Sequence, residues 1–174
     1  MTGYSTGSDS GYDYTTIKYN TSGTEEWVAR YNGEANLLDI AFAIALDGSG
    51  NVYVTGWSVG LGPFGTSYDY ATVKYDGSGQ EQWVERYDGT GDLDDQAYAI
   101  AVDSSANVYV TGYSEDANDV SSYTTIKYSQ TSSGTPTPTP TPTATATASP
   151  LSTATPTPRP TPTPRARPTP APRP

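Results

Sequence analysis

The sequence has no cysteine and no histidine. Without those side chains there is no disulfide framework, no thiolate zinc site, no imidazole-based triad and no haem held through histidine. No run of about 18 apolar residues occurs, so no segment reads as a membrane-spanning helix. Basic residues are scarce over the first 134 positions, where Lys18, Arg30, Lys74, Arg86 and Lys127 face 19 acidic residues, a net charge of −14. So acidic a body lacks the counter-charge that a phosphate backbone demands, which excludes nucleic acid as a partner. Proline is almost missing from the same stretch: Pro63 stands alone, and the other 14 prolines lie beyond Gly134.

The chain therefore divides into a body, residues 1–134, and a Pro/Thr-rich linker or stalk, residues 135–174. The tail holds 13 threonines, four arginines and no aromatic or acidic residue. Proline fixes φ and removes backbone donors, so this segment is expected to form neither helix nor sheet, and to stay disordered or in polyproline II. Fully extended, its forty residues reach about 120 Å at roughly 3.1 Å each. Threonine with proline is also the composition of O-glycosylated stalks, making Thr137, Thr139, Thr141, Thr157, Thr161 and Thr163 glycosylation candidates.

What the body has is repetition. Tyr14-Thr-Thr-Ile-Lys-Tyr19 returns as Tyr70-Ala-Thr-Val-Lys-Tyr75 and as Tyr123-Thr-Thr-Ile-Lys-Tyr128. Asn51-Val-Tyr-Val-Thr-Gly-Trp-Ser58 returns as Asn107-Val-Tyr-Val-Thr-Gly-Tyr-Ser114, and its second half opens the chain as Thr2-Gly-Tyr-Ser5. Residues 14–54 and 70–110 share 24 identities over 41 ungapped positions, which establishes a duplication. The repeat units run over about 2–54 and 55–110, with a partial copy at 111–130.

Each unit contains four short runs that alternate with the strand period, divided by Gly, Ser, Asn and Asp turns. In Ala97-Tyr-Ala-Ile-Ala-Val102 strict alternation places the three alanines on one face and Tyr98, Ile100 and Val102 on the other, which suits a strand covered on both sides. Four short antiparallel strands per fifty-odd residues is the pattern of a propeller blade, so the fold class is all-β, with about 2.5 four-stranded blades per chain.

The unit resembles the bacterial β-propeller repeats called SBBP. The resemblance rests on Asp47 to Gly56 and Asp103 to Gly112, together with the Asp-Tyr-x-Thr-x-Lys-Tyr and Glu-x-Trp-Val strands; Ala106 stands where the pattern has glycine. It implies a blade with Ala-Ile-Ala innermost, then Asn-Val-Tyr-Val, then Tyr-x-Thr-x-Lys-Tyr, then Trp-Val outermost. It also implies a bacterial protein outside the cell or at its surface, and no common enzymatic activity.

Counting strands gives two inner, three second, three third and two outer, which cannot close a ring of four or more equal blades. The body is thus expected to be a piece of a longer propeller, an open array, or a chain that joins itself or other propeller-repeat chains through open blade edges into an oligomer or filament.

Chemistry is sparse. Asp92, Asp94 and Asp95 share one loop and are the candidate calcium ligands, although a solvated acidic loop is the favoured reading. Asp47 and Asp103 read as turn caps. Trp27 and Trp83 recur at one blade position and read as packing between blades. Trp57, matched by Tyr4 and Tyr113, is the candidate surface contact for a glycan or protein. No catalytic residue or resident cofactor is assigned. The expected role is structural, adhesive or display, with a tethered carbohydrate- or protein-binding module as the alternative.

Overall fold

A computed structural model describes residues 1–7, 11–62 and 65–130, and the backbone of Thr143–Ala146. It holds eleven strands in three antiparallel sheets. The first sheet joins β1 (Thr2–Thr6), β2 (Tyr12–Tyr19) and β3 (Glu25–Tyr31). The second joins β4 (Asp39–Leu46), β5 (Val52–Gly62), β6 (Gly65–Tyr75) and β7 (Glu81–Tyr87) in that order. The third joins β8 (Asp95–Val102), β9 (Val108–Glu115), β10 (Ser121–Tyr128) and β11 (Thr143–Ala146). These are propeller-like blades, and the Ala-Ile-Ala, Asn-Val-Tyr-Val, Tyr-x-Thr-x-Lys-Tyr, Trp-Val order is the one the resemblance implies.

The turns follow from aspartate chemistry. Asp47 accepts from the backbone N–H of Ser49 and Asn51, from Asn51 Nδ2 and from Tyr53 OH; Asp103 repeats all four bonds with Ser105, Asn107 and Tyr109. Each carboxylate thereby closes a hairpin and ties it to the following strand.

Two expectations are corrected. Alternation along the inner strands is broken by a bulge between Ala41 and Ala43, and again between Ala97 and Ala99. Ala97 therefore lies in the core with Ile100 and Val102, while Ala99 and Ala101 are exposed. The bulge also explains the glycine of the Val-Thr-Gly motif: a Cβ on Gly56 or Gly112 would overlap the carbonyl oxygen of Ile40 or Gln96. Second, part of the tail is a strand. Thr143–Ala146 pairs with β10, from Thr124↔Ala146 to Lys127↔Thr143. This stretch contains no proline, so its N–H groups are available, and β10 would otherwise end the sheet with an open edge. The remaining tail, with all six glycosylation candidates, lies outside the described residues.

Two apolar clusters form between blades. Tyr14, Ala29 and Tyr31 of blade 1 pack on Ala41, Val52, Val54, Ala71, Val73 and Tyr75 of blade 2. Tyr53, Tyr70 and Trp83 of blade 2 pack on Ala97, Val108, Val110, Ile126 and Tyr128 of blade 3. The core is thus a property of pairs of blades, and each end of the stack presents a face that no described residue covers.

Candidate functional site

Three features offer function: the polar junctions between blades, an exposed aromatic ladder, and the two terminal faces.

At the first junction Asp39 lies at the start of β4, buried, with its Oδ2 accepting from Gly33 N–H at 2.9 Å. Arg86, from the outer strand of blade 2, serves the same place. Its NH1 donates to Ser58 Oγ (2.6 Å) and Tyr31 OH (3.2 Å), and its NH2 donates to Ser58 O and to Asp69 Oδ2 (2.7 Å). The Arg86–Asp69 pair is largely shielded from water, unlike Lys18–Glu26, whose side chains are both around two-fifths exposed. Burial raises the Asp39 carboxyl above the usual carboxylate range, and Arg86 acts against that rise.

At the second junction Asp95 takes the place of Asp39 and accepts from Gly89 N–H at 2.6 Å. Here Asp69, Asp88 and Asp95 bring carboxylate oxygens within 4.8 Å of one another. Although Asp88 keeps an exposed surface, desolvation of its carboxyl among its neighbours pushes it up to about 6, with help from the charges of Asp69 and Asp92. Burial likewise raises Asp95, with Asp69 and Asp94 adding to it. Of the three acids singled out in the loop, then, only Asp95 belongs to the central cluster. Asp94 Oδ1 instead accepts from Tyr68 N–H at 3.2 Å, and Asp92 stands beside Asp88. Asp69 and Asp88 escape a reading of one loop because they come from β6 and from the connector after β7. The signal that finds them is the copy-to-copy comparison, in which Asn32 becomes Asp88 while Asp13 and Asp69 recur.

Trp57 is not a surface ring. It is 8 % exposed and stacks on Tyr68 at 4.2 Å between centroids, because the eleven-residue strands β5 and β6 carry the sheet past it. Phe42 and Tyr98, equivalent residues of the two bulges, are among the exposed aromatics. Their rings lie 5.4 Å apart, and Tyr113 continues the row at 6.1 Å from Tyr98. A groove of about 440 Å³ lies nearby, lined by Leu37, Leu38, Val59, Tyr68 and Asp94 among others.

The terminal faces repeat what the interior has already mated. Tyr14 OH donates to Ala71 O across the first interface (3.2 Å), and Tyr70 OH donates to Thr124 O across the second (3.3 Å). Trp27 Nε1 and Lys18 Nζ both reach Gly77 O of the next blade, and Lys74 reaches Gln130. Trp83 lies between Tyr53 and Tyr128. The repeated tryptophans are therefore inter-blade packing. The beta-propeller repeat model of the SBBP family matches residues 26–65 and again residues 82–118. Two segments of the chain match SBBP beta-propeller repeats. Each SBBP match begins at an outer strand and runs through the next blade's second strand, spanning one inter-blade junction. A comparison with curated proteins finds no match. An SBBP repeat fold fits a binding or structural module.

Proposed function

We propose that the chain is a non-enzymatic structural module that assembles head to tail with a second copy of itself, outside the cell, carrying its Pro/Thr-rich segment as a spacer. The observation that supports this is a pair of identical hexapeptides in opposite states. Tyr14-Thr-Thr-Ile-Lys-Tyr19 lies in blade 1 and Tyr123-Thr-Thr-Ile-Lys-Tyr128 in blade 3. In blade 1 the Tyr14 side of the strand is mated and Tyr14 is 0 % exposed, whereas Tyr123 at the open side of blade 3 is 81 % exposed. Conversely Tyr128 is 1 % exposed against blade 2, whereas Tyr19 on the open face of blade 1 is 42 % exposed. The open face of blade 3 thus offers Tyr123, Thr125 and Lys127, the residues that bind a next blade at the other end. The open face of blade 1 offers Thr15, Ile17 and Tyr19, the residues that receive one.

Blade 3 meeting blade 1 of another chain is a heterologous contact, which closes into a ring or runs on as a filament. Two copies supply six blades, within the four to eight of known propellers, and three would supply too many. The strand β11 matters here, since it gives blade 3 its outer member and leaves the inner strand of blade 1 as the single deficit among the described sheets. The association therefore uses blade faces more than strand edges.

Complementary variants test the head-to-tail geometry. Tyr123→Lys spoils only the blade 3 face, and Tyr19→Lys only the blade 1 face; both residues are exposed, so the fold tolerates them. Each variant alone is expected to sediment as a monomer, while their equimolar mixture forms a heterodimer through the one intact contact. Failure of the mixture to associate while the wild type does so would refute head-to-tail pairing.

A second reading has its own observation. The exposed Phe42 and Tyr98, with half-buried Tyr113 beside them, offer a row of tilted aromatic rings of the kind that hold sugar rings or peptide side chains. Loss of glycan-array binding in Tyr98→Ala, with the fold intact, would support it.

A further inference from the structure

The two inter-blade junctions are built alike and charged differently. At the first, Arg86 of the same blade donates to Ser58 and Tyr31 and opposes the raised carboxyl of the buried Asp39, while its own ion pair is with Asp69. Arg86 stands opposite Ala71 in the β6–β7 ladder. In the third blade the residue equivalent to Ala71 is Thr124, and its partner in β11 is Ala146. Among the described residues the third blade therefore supplies no guanidinium to the second junction, which Arg86 of blade 2 reaches only at Asp69.

The acids go the other way. Asn32, Asn36 and Leu38 of the first connector become Asp88, Asp92 and Asp94 in the second. Asp95 is completely buried, and its Oδ1 accepts no hydrogen bond. A buried carboxylate oxygen without a donor is costly, and although Gly89 N–H and the Ser114 hydroxyl serve the Asp95 carboxylate, the carboxylates of Asp69 and Asp88 crowd it as well. Arg86 NH2 reaches the cluster only at Asp69, and its NH1 is committed to Ser58 and Tyr31.

We propose that a Ca²⁺ ion occupies the second junction, held by Asp69, Asp88 and Asp95, where it replaces the guanidinium that the third blade lacks. Calcium takes six to eight oxygens at about 2.3–2.6 Å, so ligands on opposite sides of the ion stand about 5 Å apart. The three carboxylates fit that span, with oxygens within 4.8 Å of one another. Asp92, beside Asp88, and water complete the shell. The ion links β6 of blade 2, the connector and β8 of blade 3, so it fastens one blade to the next. The site lies inside one chain and stands whether or not copies associate.

Two readouts on the full chain test this. Terbium(III) is a luminescent calcium substitute, and Tyr70, which senses the Asp95 charge, is a nearby sensitiser. Tyrosine-sensitised terbium emission should rise saturably with one ion per chain and be displaced by Ca²⁺. The thermal midpoint should rise by roughly 5–10 °C between EDTA and Ca²⁺ at about a hundred times its dissociation constant. Asp88→Asn, which copies the residue at position 32 and changes an exposed side chain, should fold normally in EDTA and lose both responses. Ala146→Arg should lose the calcium-dependent rise while melting in EDTA above the wild type. A wild type with neither response, or an Asp88→Asn variant that responds like the wild type, overturns the proposal.

Discussion

The repeated Thr-Gly step gives a three-way experiment inside one molecule. Gly56 and Gly112 face the bulged inner strands β4 and β8, and a Cβ on either would overlap a backbone carbonyl, that of Ile40 or Gln96, and crowd the Cα of Ala41 or Ala97 below 3.0 Å. No side chain can move aside, because the obstacle is backbone. Alanine at either site must force the inner and second strands apart by about 1 Å or more. That breaks ladder hydrogen bonds near the bulge and loosens the packing of Ala41 or Ala97. The expected cost is about 3–5 kcal/mol, at the severe end for single substitutions. Gly3 is the same position of the motif in blade 1, and there a Cβ would meet nothing within 4 Å, since the first sheet has no inner strand. Gly3→Ala should therefore be neutral or stabilising by up to about 1 kcal/mol, through lower entropy of the unfolded chain. Urea unfolding followed by tryptophan fluorescence compares all three variants. Equal losses at positions 3 and 56, or a loss below about 1 kcal/mol at 56, would refute the steric account of the motif.

Other consequences follow from single side chains. Ala106 holds a left-handed backbone (φ 60°) where the other copy has Gly50 (φ 81°), so Ala106→Gly should raise stability by about 0.5–1 kcal/mol in the same assay. Tyr70→Phe removes a buried hydroxyl bond to Thr124 O, which Thr111 Oγ1 still satisfies, so the loss should be about 1 kcal/mol, whereas Tyr123→Phe should leave monomer stability unchanged. Stability without calcium should peak near pH 4. Asp88, raised to about 6 by desolvation and by Asp69 and Asp92, and Asp39 and Asp95, raised by burial, bind protons more tightly in the folded chain, so thermal midpoints rise as pH falls from 7 through 6. Asp47, held low against its burial by bonds from Asn51, Tyr53 and Ser49, and Asp103, held low by Asn107, contribute stability above about pH 4 that vanishes below it. A monotonic decline from pH 7 to pH 4 in EDTA would contradict this.

The blades were legible because their physics is local. Alternating runs, aspartate turns and a gapless duplication identify strands and their order without any contact information. What stayed hidden depends on partners distant in sequence. The bulge at Ala41 and Ala97 departs from alternation and is signalled only by a glycine fifteen residues later in each copy. Trp57 looks like a surface aromatic until β5 and β6 extend beyond it and Tyr68 covers it. The junction acids come from three elements, so proximity in one loop selected Asp92 and Asp94 and passed over Asp69 and Asp88. Composition hid β11, because a proline-rich average masks seven consecutive residues without proline.

The central claim is that the open faces of blades 1 and 3 bind each other in another copy. Sedimentation equilibrium of the full chain over a hundredfold range of concentration measures it directly. The account predicts a particle of twice the 18.4 kDa chain mass that dissociates on dilution and that Tyr123→Lys abolishes. A species of one chain mass at every concentration, with native circular dichroism, would contradict it.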